Sequence, residues 1–335
     1  MRVALQILFV FLILTGGCAV GPFGPEIDTR LQHLAKITFK VLDDNGNPIP
    51  KSEIFVSTFS HWKPGDNFGS DVDKEAHGIT DTNGKCSLEL AGKTGEYAYG
   101  VKPPAGYYYG GTASYTFSNN AVAVWMPWNP TIEIVLQKKG VQVPMYARHV
   151  FENKIPVEGK PVGFDLMAGD WVAPYGKGET SDFLLDLESK PEPPVSPREI
   201  PPYDVTWTVK FSNDGDGIQS ATPLSHGFRV AREAPTDGYK PELIKHSYKE
   251  RGQPDHFDFN EDQNYFFRVR TEKDAQGKII NALYGKISGD FRGGSSGKLT
   301  FTYYLNPEPN SRNMEFDPKQ NLSKNLKFME GVRGP

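Results

Sequence analysis

The sequence is poor in cysteine, in unbalanced charge and in long apolar runs. Cys18 and Cys86 are the only cysteines in 335 residues, and 37 basic side chains stand against 41 acidic ones, for a net charge of −4. A nucleic-acid partner requires a basic face, and the sequence shows none. Outside the N-terminus, no apolar stretch is long enough to span a bilayer. We therefore expect no nucleic-acid partner and no further membrane-spanning segment.

The one long apolar run lies at the N-terminus. Arg2 precedes a run from Val3 to Leu14. At about 1.5 Å per residue this run is too short to cross a hydrocarbon core of roughly 30 Å. The small residues of segment 15–17 follow, as cleavage by a signal peptidase requires. We interpret residues 1–17 as a signal peptide, because the length and the glycine pair disfavour an uncleaved anchor.

The segment LTGGC, residues 14–18, resembles the lipobox of bacterial lipoproteins. In that family the cysteine becomes the first residue of the mature chain and carries acyl chains on its thiol and its amine. Gly16, Gly17 and Cys18 match the pattern, whereas Thr15 stands where leucine is usual. The resemblance implies that acylated Cys18 anchors the protein in a lipid bilayer, with residues 18–34 as a tether.

The lipobox resemblance also implies a compartment. The protein is expected in the bacterial cell envelope, and Ala19 after the cysteine resembles the outer-membrane default of Gram-negative bacteria. Once Cys18 is acylated, Cys86 is the only thiol and no disulfide can form within the chain. The core must then be held together by packing alone.

Short alternating runs, separated by turn residues, fill the rest of the chain. In AKITFKV, the side chains of Ile37, Phe39 and Val41 share one face. Cys86 shares a face with Leu88 and Leu90, which predicts a buried thiol that acts as a small apolar side chain. A period of two with 34 glycines and 27 prolines is typical of an all-β protein built from sandwiches.

Residues 35–138 resemble the carboxypeptidase regulatory-like domain. The resemblance is carried by VLDDNGNPIPKSEIFV, GITDTNGKCSLEL and GEYAYGVKPPAGYYY. The positions that fit the turns of that family are Asp43, Gly46, Pro48, Thr80, Asp81, Gly84, Gly106 and Tyr107. The resemblance implies a transthyretin-type β-sandwich that supports or binds rather than catalyses.

Residues 139–335 are predicted to form a second β-rich domain, a sandwich or a jelly-roll-like fold. A proline-rich segment, 188–204, reads as an extended loop or linker. One helix is predicted near the C-terminus, because Asp317 and Pro318 suit its start, Leu322, Leu326 and Met329 share a face, and Gly331 suits its end.

Two aspartates around Trp171 are the only candidate catalytic pair. Asp165 and Asp170 lie five residues apart, so a regular strand places them on opposite faces. A turn at Gly169 would bring them together, as a glycosidase with two carboxylates requires. GGSSG, residues 293–297, matches a nucleophile-elbow pattern but precedes a predicted strand, where a helix is needed.

Metal-site patterns are incomplete. SNDGDGIQ, residues 212–219, resembles half of a calcium loop and makes Asp214 and Asp216 weak candidates, but Pro223 stands where a bidentate glutamate is needed. His246, His256, Asp258 and Glu261 match no zinc spacing and read as a solvated loop. We expect no metal and no cofactor.

Aromatic side chains suggest a binding role. Trp62, Trp125 and Trp128 are candidates for stacking on glycans through their apolar faces. The sequence thus favours a membrane-anchored, non-catalytic binding or structural lipoprotein whose partner is a glycan or an envelope protein. The alternative is a surface-exposed hydrolase that acts on glycans through Asp165 and Asp170.

Overall fold

A computed structural model describes residues 32–59, 72–121, 123–195, 201–222, 230–260 and 262–334. Within these ranges the chain forms 20 β-strands and no helix. The described ranges also hold no helix with the length and apolarity needed to cross a membrane. The fold class is all-β, as the alternating pattern predicts. Cys18 and Trp62 lie outside the described residues.

The first nine strands form a β-sandwich. They are β1 (His33–Asp43), β2 (Glu53–Phe59), β3 (Val72–Ile79), β4 (Lys85–Gly92), β5 (Glu96–Lys102), β6 (Thr112–Thr116), β7 (Asn119–Ala121), β8 (Val124–Met126) and β9 (Thr131–Leu136). One sheet has the order β4-β1-β8-β7, with β9 also paired to β1, and the other has the order β3-β2-β5-β6. Apolar side chains from both sheets, among them Phe39, Ile54 and Tyr97, pack into one core.

Strand β1 shows why the sequence folds this way. Its side chains alternate between buried and partly exposed along the whole strand. Ile37, Phe39 and Val41 are at most 2% exposed, which confirms the predicted inward face. On the outward face, the Lys40 ammonium lies 2.8 Å from the Glu133 carboxylate. Strand β1 pairs antiparallel with β4 and parallel with β9, so it lies at the centre of its sheet.

Two turns of the first sandwich are built on aspartates. The Asp43 carboxylate accepts hydrogen bonds from the backbone N–H groups of Asn45 and Asn47, at 2.9 and 2.7 Å, while Gly46 has a φ of 80°. Asp81 and Gly84 repeat the arrangement one hairpin later, with φ 71° at the glycine. The aspartates satisfy amides that the turn leaves unpaired, and glycine tolerates the left-handed backbone.

Cys86 is 8% exposed and packs in the core of the first sandwich. Burial raises the pKa of its thiol, so little of the reactive thiolate is present near neutral pH. We predict that a Cys18→Ser form, whose only thiol is Cys86, reacts with a disulfide reagent at least about tenfold more slowly in buffer than in urea. Equal labelling rates in the two solvents would contradict this prediction.

The remaining strands form a second sandwich. They are β10 (Val143–Lys154), β11 (Val162–Asp165), β12 (Asp170–Trp171), β13 (Phe183–Pro191), β14 (Tyr203–Lys210), β15 (Gly217–Ala221), β16 (Glu242–Lys249), β17 (Asn264–Lys273), β18 (Ile279–Gly293), β19 (Lys298–Asn306) and β20 (Phe316–Asn321). A five-stranded sheet, β12-β11-β13-β14-β16, faces a six-stranded sheet, β15-β17-β18-β19-β10-β20. Phe164, Phe183 and Trp207 of the first meet Phe267 and Phe301 of the second in one core.

The predicted C-terminal helix is wrong. Residues Phe316–Asn321 form strand β20, which pairs parallel with β10. Phe316 is fully buried against β10 and β19, and this packing outweighs local helix propensity. The Asp317 carboxylate caps a tight turn by accepting the Lys319 N–H at 2.9 Å instead of beginning a helix. Met329, predicted on the apolar helix face, is 51% exposed.

Glu315 joins the two sandwiches. Its carboxylate is buried and accepts the hydroxyl of Tyr108 at 2.6 Å and the N–H of Gly140 at 2.5 Å. Burial, followed by the nearby carboxylate, raises the pKa of Tyr108 above its ordinary value. Tyr108 packs in turn on Phe266, Tyr284 and other residues of the second sandwich. The outer face of the six-stranded sheet is therefore partly covered by the first sandwich.

Candidate functional site

Asp165 and Asp170 lie opposite each other in the β11–β12 hairpin. The register pairs the two residues directly, and Gly169, with a φ of 64°, makes the turn between them. The turn at Gly169 therefore overrides the opposite-face spacing of a regular strand. Nearness alone does not make a catalytic pair, because the hydrogen bonds of each carboxylate decide what it can do.

Both oxygens of the Asp165 carboxylate accept hydrogen bonds from backbone N–H groups. One oxygen accepts the N–H groups of Met167 and Ala168, at 2.9 and 3.1 Å, and the other accepts those of Glu179 and Thr180, at 3.0 and 3.1 Å. The side chain is 7% exposed. Burial acts to raise the pKa of Asp165, but the backbone donors and the Arg270 guanidinium outweigh it and leave the pKa lowered. Asp165 therefore holds two loops together as an ionised carboxylate.

Arg270 connects this hairpin to the opposite sheet. Its guanidinium binds both oxygens of Asp182, at 2.8 and 2.9 Å, and one oxygen of Asp165, at 3.3 Å. Strand β17 has a bulge at Arg270, whose φ is 54°. The bulge interrupts the regular alternation of side chains between the two faces of the strand and so changes the direction of the Arg270 side chain. The Asp216 carboxylate accepts the backbone N–H groups of Arg270 and Thr271, at 3.1 and 2.8 Å, and so fixes the bulge. We call Asp165, Asp182, Asp216 and Arg270 the Arg270 cluster.

The two carboxyl groups of the Arg270 cluster whose pKa is raised are buried and cannot contact a substrate. Burial raises the pKa of both Asp182 and Asp216, which are 1% and 5% exposed. A glycosidase acid needs a raised pKa and also contact with its substrate. Neither residue lines the pocket beside Asp170. Sequence reasoning missed Asp182 and Arg270, because no local pattern links residues 88 positions apart.

Asp170 borders a pocket of about 530 Å³ whose wall is mostly charged. Both Asp170 oxygens already accept backbone N–H groups, from Trp171 at 2.8 Å and from Lys177 at 3.0 Å. The other carboxylates in the wall are also paired, Glu152 with Lys298 at 2.6 Å and Glu330 with Arg148 at 3.5 Å. Each of these three carboxylates thus already has at least one partner within the protein.

Asp214 and Asp216, the two weak calcium candidates, interact with different partners. Asp214 is 91% exposed at its side chain and forms an ion pair with Lys273 at 2.7 Å, whereas both Asp216 oxygens bind backbone amides of β17. The segment that begins at His246 is predicted from the sequence to be a solvated loop, but residues 246–249 belong to strand β16. There the His246 ring lies 2.9 Å from Asp204, and the Tyr248 ring stacks on the rings of His246 and His256. Within the described ranges no three His, Cys, Asp or Glu side chains are grouped to hold a metal. Glu261 falls outside those ranges.

The tryptophans selected for binding differ in accessibility. Trp125 is 2% exposed and packs on His33 and Phe117 in the first core, which corrects its interpretation as a surface contact. Trp128, three residues later, is 42% exposed and stays a predicted binding residue. Trp62 lies in the range that the structure does not describe, 60–71.

No protein-family model matches the chain, and no curated protein matches it. The resemblance of residues 35–138 to the carboxypeptidase regulatory-like domain is therefore not confirmed. Similar solved structures include the major pilin SpaD of Corynebacterium diphtheriae, at 11% identity and a TM-score of 0.26, covering 88% of this chain and 86% of that one.

Two further pilins show a similar degree of likeness. The shaft pilin SpaA of Lactobacillus rhamnosus GG has 15% identity and a TM-score of 0.24, covering 56% of this chain and 91% of its own. The major pilin BcpA of Bacillus cereus has 11% identity and a TM-score of 0.24, covering 84% and 99%. Scores of this size do not define a common arrangement of the strands.

Proposed function

We propose that the protein is a lipid-anchored, non-catalytic binding or structural protein of the bacterial cell envelope. Its anchor is Cys18, acylated after removal of residues 1–17, and its location is the outer membrane if the cell is Gram-negative. Two sandwiches follow the tether, and their partner is a glycan or another envelope protein. The bilayer itself is the first partner, since multiple acyl chains give stable anchoring where one does not.

The non-catalytic part of this proposal rests on the hydrogen bonds that the two candidate carboxylates already accept. Asp165 and Asp170, the candidate pair for hydrolysis, use all four oxygens to accept backbone N–H groups. A nucleophile or general acid must instead present an oxygen or a proton to the substrate. The pair therefore fits a role in shaping the β11–β12 hairpin.

A surface hydrolase that acts on glycans is the second candidate. The pocket of about 530 Å³ beside Asp170 favours it, because carboxylates in a concave wall are what a glycosidase uses. The ion pairs of Glu152 and Glu330 weigh against it, since each carboxylate in that wall already has a partner.

The anchor is tested by metabolic labelling with an alkyne analogue of palmitate in a bacterial host. We expect label in the wild-type protein and in Cys86→Ser, the matched cysteine control, and none in Cys18→Ser. Wild-type protein should also require detergent for extraction from the membrane pellet. Unlabelled, buffer-soluble wild-type protein would contradict the proposed anchor.

A further inference from the structure

The outer face of the six-stranded sheet is covered over one half and open over the other. The covered half lies under Tyr108 of the first sandwich and under the segment that leads to β20. On the open half, Ser288 of β18, Thr302 of β19 and His149 of β10 are direct cross-strand neighbours. His149 Nδ1 and the Thr302 hydroxyl share a hydrogen bond of 2.7 Å. This row forms the floor of a polar pocket of about 370 Å³.

The wall of this pocket contains an aromatic ring together with acidic and basic side chains. Phe259 and Asp262 come from the loop after β16, and Arg292 comes from the end of β18. The Arg292 guanidinium lies 5.7 Å from the centre of the Phe259 ring. Phe257, with its ring centre 6.0 Å from that of Phe259, is 41% exposed and extends the aromatic surface. Among the described residues, the lining holds the carboxylates of Asp262 and Asp290 and the guanidinium of Arg292, and the Lys245 ammonium at 2.8 Å pairs Asp290, so these charges nearly cancel.

Asp290 holds the aromatic loop in place. Its buried carboxylate accepts the backbone N–H of Asn260 at 3.0 Å, the Lys245 ammonium at 2.8 Å and the Tyr265 hydroxyl at 2.8 Å. Lys245 also reaches Asp258, at 3.3 Å, in the same loop. The segment that carries Phe257 and Phe259 is thereby fixed to the sheet, so the pocket is formed before any ligand arrives.

We propose that this pocket binds one sugar ring of an uncharged saccharide. The proposal rests on the binding role proposed above and gives that role a site and a ligand class. The C–H face of a pyranose packs on an aromatic ring, while its hydroxyl groups need both donors and acceptors. Phe259 provides the ring, and Ser288, Thr302, Arg292 and Asp262 provide donors and acceptors.

The electrostatics favour a neutral ligand over an anion. Burial lowers the pKa of His149, so its imidazole is uncharged at neutral pH. Among the described residues of the lining, Arg292 is then the one cation; Asp262 opposes it, and Asp290 is paired with Lys245 at 2.8 Å. The volume, about 370 Å³, lies at the small end of the range for ligand sites and suits one or two sugar units.

Affinity electrophoresis tests this assignment. Full-length protein, extracted in non-ionic detergent, is run in native gels that contain laminarin, xyloglucan, yeast mannan or dextran. We expect at least one polysaccharide to retard the wild-type protein, and we expect Phe259→Ala, Arg292→Ala and the isosteric Thr302→Val each to weaken that retardation at least tenfold. Phe328→Ala, at a ring that is 96% exposed elsewhere, and Arg333→Ala are matched controls and should leave retardation unchanged.

The outcomes separate this inference from the proposed function. Absence of retardation in all four gels, equal retardation of Phe259→Ala, or retardation by polyphosphate alone would overturn the saccharide site, and none of these changes palmitate labelling. Thr302→Val preserves side-chain volume, so an unchanged melting temperature shows that its loss of binding is local. Reducing sugar released by wild-type protein but not by Asp170→Asn would instead overturn the non-catalytic part of the proposed function.

Discussion

Replacement of Arg270 by methionine is expected to lower the free energy of unfolding by about 3–5 kcal/mol. The change removes the guanidinium that binds both oxygens of Asp182 and one oxygen of Asp165, while retaining much of the side-chain volume. The Asp182 side chain is fully buried, so its carboxylate loses its counter-charge without gaining water. Urea unfolding followed by tryptophan fluorescence measures the loss, since Trp171 and Trp207 lie in the affected core.

Two comparisons make the Arg270→Met result specific. Lys273→Met removes the partner of Asp214, whose side chain is 91% exposed, and should leave the free energy of unfolding almost unchanged, because water screens an exposed ion pair. Arg270→Met combined with Asp182→Asn removes the stranded charge and should recover part of the loss. A cost below about 1 kcal/mol for Arg270→Met alone would show that the cluster does not hold the two sheets together.

Lys286→Met is expected to remove a pH dependence from the stability of the protein. Lys286 is 1% exposed, with its ammonium 4.6 Å from the centre of the Tyr304 ring. Burial lowers its pKa from the ordinary 10.5 to about 7, although the charge of Glu315 acts in the opposite direction.

The direction of the pH dependence follows from proton binding. Between pH 7 and pH 10.5 the unfolded chain keeps a proton on Lys286 that the folded protein has released. The contribution of Lys286 to the free energy of unfolding therefore rises with pH across that window, by up to about 1.4 kcal/mol per pH unit, and is constant below it.

Unfolding in urea at several pH values checks this direction. The Lys286→Met variant should lose the rise. Lys319→Met, at an exposed position, should keep the wild-type slope. A Lys286→Met protein that keeps the slope would show that Lys286 is not the titrating group.

The sequence predicts what depends on neighbours along the chain. The inward face of β1, the aspartate turns at Asp43 and Asp81, and burial of Cys86 follow from alternation and turn chemistry over a few residues. Each of these features is set by backbone geometry that the residues specify locally. For the same reason the all-β fold class is predicted correctly.

Features that depend on distant partners are not visible in the sequence. Arg270 meets Asp182 only because β17 and the β11–β13 region face each other across the second core, and the bulge that aims its side chain has no sequence signature. The C-terminal segment pairs with β10 instead of forming the helix that its local pattern predicts. The Asn321 side chain donates a hydrogen bond to the Ala147 carbonyl of β10, 174 positions earlier in the chain. The row of Ser288, Thr302 and His149 likewise exists only through the register of three strands.

The proposed function depends above all on the lipid anchor at Cys18. Mass spectrometry of the N-terminal tryptic peptide of the membrane-extracted protein tests it most directly. We expect a peptide that begins at Cys18 and ends at Arg30, with the added mass of a diacylglyceryl group and a third acyl chain. An unmodified peptide that continues from residue 17 through Cys18 would contradict the proposed lipid anchor.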